Sequence, residues 1–202
     1  MLRFLRYLKE GAVLQRGEPV TVKGYGEGEI LCTLSGEGYR ERKRVKAKGG
    51  RFRAEFKAVE ETGGYFELSA ASGVEEIGVR LRFGDVYLAL GQSNMSYSLS
   101  AVEEAEEWQE RAEKADVSVL NLEEKAVSAG EEITRPAYPQ EDLACEYEWS
   151  RGGAKLSGVS ALCVQTGTLL WERSGVPIGF VQTAMGGLSV EAYLSRESVE
   201  RD

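Results

Sequence analysis

Histidine is absent from all 202 residues. The absence removes the commonest general base for a serine or cysteine nucleophile and the commonest nitrogen ligand for a metal. Cysteine is nearly absent too: Cys32, Cys145 and Cys163 are odd in number and far apart, with no Cys-x-x-Cys. That pattern excludes a disulfide framework and a structural zinc site, and no metal or cofactor is expected. No apolar run approaches the length of a membrane span. The first ten residues mix charges into their apolar positions and lack the continuous core and small-residue cleavage site of a signal peptide. A cytoplasmic location follows, reversed only if a leader has been removed. Excess positive charge is missing as well. With 25 Lys and Arg against 33 Asp and Glu, the net charge is −8, leaving no electrostatic footprint for nucleic acid or anionic membrane. The one basic run, from Arg40 to Lys48, interleaves with Val45 and Ala47 and reads as a solvated strand face.

What is present divides into two patterns. Up to about residue 83, short apolar phases (Val20/Val22, Ile30/Cys32/Leu34, Phe52/Ala54/Phe56, residues 65–70, Ile77/Val79/Leu81/Phe83) alternate with glycine turns. This is the spacing of a β-sandwich, placed at residues 1–83. Gly24-x-Gly26-x-Gly28 has no helix to enter, so it is turn chemistry rather than a dinucleotide loop. From Gly84 onward, residues 84–202, strands alternate with helices, implying a parallel sheet covered on both faces. Ala101, Ala105, Trp108, Ala112 and Ala115 form one helical stripe, with Glu107/Arg111 and Glu110/Lys114 a turn apart on the wet side. Residues 117–122 read as a second strand, followed by a loop with Pro136 and Pro139. Val159, Leu162, Cys163, Thr166 and Leu169/Leu170 recur at helical spacing and stop at Gly175. Cys163 belongs to the buried side of that helix, a core thiol rather than a nucleophile. Residues 178–183 form a third strand, and Gly186-Gly187 follows at its end.

The chemistry concentrates in Gly84-Asp-Val-Tyr-Leu-Ala-Leu-Gly91-Gln92-Ser93-Asn94-Met95. Residues 86–90 lack the alternation of a half-exposed strand and read as one covered on both faces. Gly91 breaks it and leaves Gln92, Ser93 and Asn94 at the carboxyl end, where open α/β sheets place their ligands. Ser93 is therefore the candidate nucleophile. Gly186 and Gly187 lie on the same rim, where backbone N–H groups can hold an oxyanion.

The segment resembles the Gly-Asp/Glu-Val-Trp strand and Gly-Gln-Ser-Asn-Met turn of the sialate O-acetylesterase family, carbohydrate esterases of the SGNH hydrolase superfamily. Two further stretches carry the resemblance. Gly175-Val-Pro-Ile-Gly-Phe-Val-Gln-Thr-Ala-Met-Gly186-Gly187-Leu-Ser-Val-Glu191-Ala-Tyr193 is similar to the family's Val-Pro-Ile-Gly-Leu-Ile-Gln-Ser-Ser-Trp-Gly-Gly-Thr-x-x-Glu-Ala-Trp. Ala12-Val-Leu-Gln-Arg16-Gly-Glu-Pro19-Val20 is similar to the Met-Val-Leu-Gln-Arg-x-x-Pro-Val that opens the family's β-sandwich. The chain departs at Tyr87, Met185, Leu188 and Tyr193, where the family has Trp, Trp, Thr and Trp.

The resemblance implies a β-sandwich followed by α/β, a partial three-layer SGNH-type fold, and a carbohydrate O-acetylesterase acting on an acetylated sugar. Ser93 would attack, Gly186 or Gly187 would serve the oxyanion, and Gln92 and Asn94 would fix the turn or touch substrate. The family's Asp and His come from near the end of a much longer chain, and its Gln-Gly-Glu-Ser donor motif follows the Gly-Gly segment. Neither is found here. Asp116 and Asp142 have no His to orient and are not triad members. A second chain or a further C-terminal segment is expected to supply the pair. Three parallel strands also fall short of the five the resemblance implies, so one sheet edge should stand open. The alternatives are a non-catalytic glycan-binding module, with Tyr97, Tyr138, Tyr147 and Trp149 as stacking candidates, and a truncated or degenerate fragment of such an esterase.

Overall fold

The computed structural model describes residues 1–60, 62–122, 141–143, 147–187 and 189–200. Pro136, Tyr138, Pro139, Cys145 and Leu188 lie outside the described residues. The first half holds β1 (Arg3–Phe4), β2 (Val13–Gln15), β3 (Val20–Tyr25), β4 (Glu29–Gly36), β5 (Tyr39–Lys46), β6 (Arg51–Phe56) and β7 (Phe66–Ser72). β8 (Glu75–Ala89) continues into the second half. One sheet runs β1-β3-β6, antiparallel throughout. In β3, β4 and β6 buried and outward residues alternate, so the buried set of each falls on one face. Val22, Phe52 and Phe56 from the small sheet share one core with Ile30, Leu34 and Leu68. Phe66 meets Phe83 edge-on with ring centroids 4.9 Å apart, a geometry that contributes on the order of 1 kcal/mol beyond the area it buries.

β8 is the spine. Its first part pairs antiparallel with β7, residues 82–84 pair parallel with β2, and residues 85–89 pair parallel with β11 (Ile178–Gln182). The change of pattern at residues 83–84 therefore falls inside a continuous strand rather than in a linker. β11 pairs parallel with β9 (Val117–Asn121), and β10 (Trp149–Arg151) adds antiparallel to β9. The three parallel strands stand where the sequence pattern puts them. β10 carries no such signal because it is only three residues long.

Two expectations about the helices change, and one contact is added. Residues 99–101 form a 3-10 turn and α2 begins later (Ala105–Lys114), because the N–H groups of Leu99 and Ser100 are taken by the carbonyls of Val159 and Ser157, both at 2.9 Å. Arg111 stays one turn from Glu107 on α2. It reaches across to Glu172 of α3 (Ala161–Ser174) at 2.7 and 3.1 Å. The buried arc of α3 is Cys163, Val164, Gly167 and Thr168, while Leu162 and Leu169 are 45% and 42% exposed. Gly167 decides this rotation: a methyl there would sit 2.9 Å from Val117 and 3.0 Å from Phe180, so the helix lies closest to the sheet along its glycine side. Ser160 caps α3 by accepting from the Cys163 N–H, and Gly175 ends it at φ 68°.

Among the described residues the far side of β8 is left without a strand past Gln15. Gln15 Oε1 accepts from the Val86 N–H at 2.9 Å, and beyond it no strand among the described residues pairs that edge. Leu88 is 62% exposed there. No helix among the described residues is long and apolar enough to cross a membrane.

Candidate active site

Because β8, β9 and β11 are parallel and in register, Ala89, Asn121 and Gln182 end level on one rim. Gly91 turns the chain at φ 147°, where a side chain would be strained and a Cβ would lie 3.1 Å from that of Met95. The Gln92 carbonyl then accepts from the N–H groups of Met95 and Ser96, both at 3.0 Å. These bonds wind Ser93–Ser96 into one turn, α1, preceded by Gln92. Gln92, Ser93 and Asn94 are all exposed on it.

The segment after β11 follows alongside. Thr183 N–H donates to the Ala89 carbonyl at 3.0 Å and Met185 N–H to the Gly91 carbonyl at 3.2 Å. That path brings Gly186 over the serine: a methyl on Gly186 would lie 3.6 Å from Ser93 Oγ. Gly187 takes φ 82° beside it. The structure thus joins Ser93 and Gly186, which are distant in sequence, into one site.

Three supporting residues escape the sequence reading. Tyr193 is the first, noted there only as a departure from Trp. Its hydroxyl lies 2.6 Å from the Gly91 carbonyl and 3.1 Å from that of Thr183, one proton shared between the two turns that carry Ser93 and Gly186. Gln182 is the second. It is almost completely buried, and its Oε1 accepts from the Ser160 N–H at 2.9 Å. Ser160, the third, places its hydroxyl 3.8 Å from the Met95 sulfur. The only signal for this network was a glutamine at the end of an apolar strand. We expect Tyr193→Phe to lower stability by about 1 kcal/mol, the net worth of one such hydrogen bond. It should also raise amide exchange across residues 91–95. Exchange unchanged in that turn would show that Tyr193 does not hold it.

The two aspartates and two of the cysteines singled out in the sequence are committed elsewhere. Asp116 pairs with Arg82 and, at 3.3 Å, with Arg151; Asp142 pairs with Arg3 and Arg6 at 2.8 and 3.2 Å. Burial pushes the Cys163 thiol up and the Cys32 thiol up to about 11, so neither is a thiolate near neutral pH. Among the described residues no group of three or more His, Cys, Asp or Glu side chains could hold a metal. Of the aromatic candidates for sugar stacking, Trp149 is buried and donates its indole N–H to the Tyr7 carbonyl at 2.8 Å. Tyr147 packs against the same core. Tyr97 alone among the described ones is exposed.

A parallel sheet with a serine displayed at its carboxyl rim, and a glycine turn facing the hydroxyl, is the framework of an α/β esterase. No protein-family model matches the chain. The sialate O-acetylesterase of Pongo abelii is 29% identical over 98% of this chain and 40% of its own length. That of Homo sapiens is 31% identical over 68% of this chain and 27% of its own. A crystal structure of a carbohydrate acetylesterase from Xanthomonas citri superposes with a TM-score of 0.83 at 26% identity, covering 100% of this chain and 44% of that one. The chain belongs to the sialate O-acetylesterase family. It spans about two fifths of the length of the Pongo abelii relative.

Proposed function

We propose that these residues are the nucleophile half of a carbohydrate O-acetylesterase, built as a β-sandwich (residues 1–83) followed by the first part of an SGNH-type α/β domain (residues 84–202). The placement of Ser93 Oγ against Gly186, in a chain of this family, supports the reading most strongly. Ser93 Oγ gives its proton to a base and attacks the acetyl carbonyl carbon, the sugar oxygen leaves with that proton as a hydroxyl, and water then hydrolyses the acyl-serine to acetate and the free serine hydroxyl. The N–H groups of Ser93 and of Gly186 or Gly187 hold the oxyanion, each such donor worth on the order of 3 kcal/mol of barrier. Gln92 and Asn94 fix the turn or touch the sugar.

The base comes from outside these residues, because the chain has no histidine. A second chain or further segment carrying an Asp and His pair would add to the open β8 edge, where Leu88 waits uncovered. Reconstitution tests this. The chain is mixed with the separately produced C-terminal part of a related sialate O-acetylesterase, and acetate release from an acetylated sugar is followed. Release from the mixture and from neither part alone is the expected result. A stable complex without release would contradict it.

A further inference from the structure

The exposed face of β5 and the groove beside it form a cationic surface that the esterase site does not use. Alternate residues of β5 face solvent, so Arg40, Arg42, Arg44 and Lys46 project in one row. Along an extended strand their spacing is about 7 Å. The row runs on into a groove of about 480 Å³ lined in part by Lys23, Lys46, Lys48, Arg51 and Arg53. Carboxylates neutralise some of these charges. Glu29 reaches Arg44 at 3.3 Å, Glu141 reaches Lys23 and Arg51 at 3.0 Å each, and Glu55 reaches Arg53 at 2.7 Å. Among the described residues no carboxylate pairs with Arg40, Arg42, Lys46 or Lys48.

An edge strand gains protection from charge of either sign. That protection explains some of the row, but it does not require one sign throughout in a chain of net charge −8. Nor does it require the cations to continue past the strand at Lys48 and into a groove. A surface of one sign set in a protein of the other concentrates ligands of opposite charge.

We propose that this face binds an acidic polysaccharide, a chain of carboxylated sugars lying along β5 with its carboxylates on Arg40, Arg42, Lys46 and Lys48. The choice of a glycan over a nucleic acid rests on the carbohydrate-esterase reading. It is helped by the strand's outward row, in which cations follow one another with no aromatic between them to stack a base, while in the groove Phe52 is buried and the Tyr25 ring is already covered by the Arg3 guanidinium, 4.0 Å from its centroid. The surface includes neither Ser93 nor the Gly186 turn, so it holds the polymer rather than acting on it.

Electrophoresis of the chain through gels containing polygalacturonate tests the proposal. The unmodified chain is retarded at low ionic strength, and the retardation fades at about 0.5 M salt, where charges separated by several ångströms are screened. Arg40→Glu with Arg42→Glu weakens binding at least tenfold. The neutral pair Arg40→Gln with Arg42→Gln weakens it in the same direction and serves if the reversed pair fails to fold. Lys114→Glu with Arg173→Glu, which gives the same net charge as the first pair, keeps the retardation. No retardation of the unmodified chain, equal losses in the control pair, no loss in the neutral pair, or stronger retardation by a single-stranded oligonucleotide would each overturn the proposal. Retardation kept while the reconstituted protein releases no acetate would count against the esterase reading alone.

Discussion

In the reconstituted esterase, Ser93→Ala is expected to lower acetate release by roughly 10⁵- to 10⁶-fold, the loss seen when the nucleophile of a serine hydrolase is removed. The size of the effect follows from covalent catalysis. Alanine leaves the oxyanion donors and the sugar contacts in place but has no oxygen to accept the acetyl group, so only direct attack by water remains. Ser93 is exposed, so the variant should melt with the unmodified chain. A change confined to turnover thus separates chemistry from folding. The KM for the acetylated sugar should move little, because the hydroxyl contributes to the transition state more than to ground-state binding. A fall of less than about tenfold would assign the nucleophile to another residue.

Gly84→Ala is expected to be the most damaging single methyl in the fold. Gly84 sits where β8 passes from β2 to β11: its carbonyl accepts from Arg16 N–H at 2.9 Å, and the next N–H, of Asp85, donates to the Pro177 carbonyl at 3.0 Å. A Cβ at Gly84 would fall on that same Pro177 carbonyl oxygen, with the carbonyl carbon at 2.7 Å and Pro177 Cβ at 3.0 Å. None of these atoms can swing aside, since they belong to the backbone and a proline ring. Relief requires β8 and β11 to part, which pulls on the register that brings Gly186 to Ser93. Overpacking into fixed atoms costs about 3 kcal/mol or more, a drop in Tm of roughly 6–12 °C for a chain of this size. Gly158→Ala meets nothing within 4 Å and is the matched control. Thermal melts of the two variants check the expectation, and equal Tm values would contradict it.

Much of this arrangement was legible before the structure. The three parallel strands announced themselves as short apolar runs, the pattern of strands covered on both faces. Residues 86–90 are not so covered: Tyr87, Leu88 and Leu90 are exposed, since β8 has a strand neighbour on one side only there among the described residues. Gly91, Ser93, Gly186 and Gly187 could be placed on one rim because parallel strands all end on the same side. The orientation of α3 was not legible. Leu162 and Leu169 have helical spacing with Val159 and Thr166, yet it is Gly167, invisible to a hydrophobicity count, that sets the face nearest the sheet. The hold on the Ser93 turn was hidden too. Tyr193 lies 102 residues from Gly91, and a hydrogen bond over that distance leaves no periodicity. Gln182 was masked by its apolar neighbours. The basic row of β5 was seen but read as solvation alone, since a strand pattern gives no sign of which cations will find carboxylates.

Whether Ser93 lacks a base is tested most directly by p-nitrophenyl acetate hydrolysis by the purified 202-residue chain, measured beside its Ser93→Ala variant. A serine hydroxyl without an imidazole remains protonated near neutral pH and attacks slowly. Equal and negligible rates are expected for the two proteins. Turnover by the unmodified chain that Ser93→Ala abolishes would contradict that expectation, and would show that a base among these residues already activates Ser93.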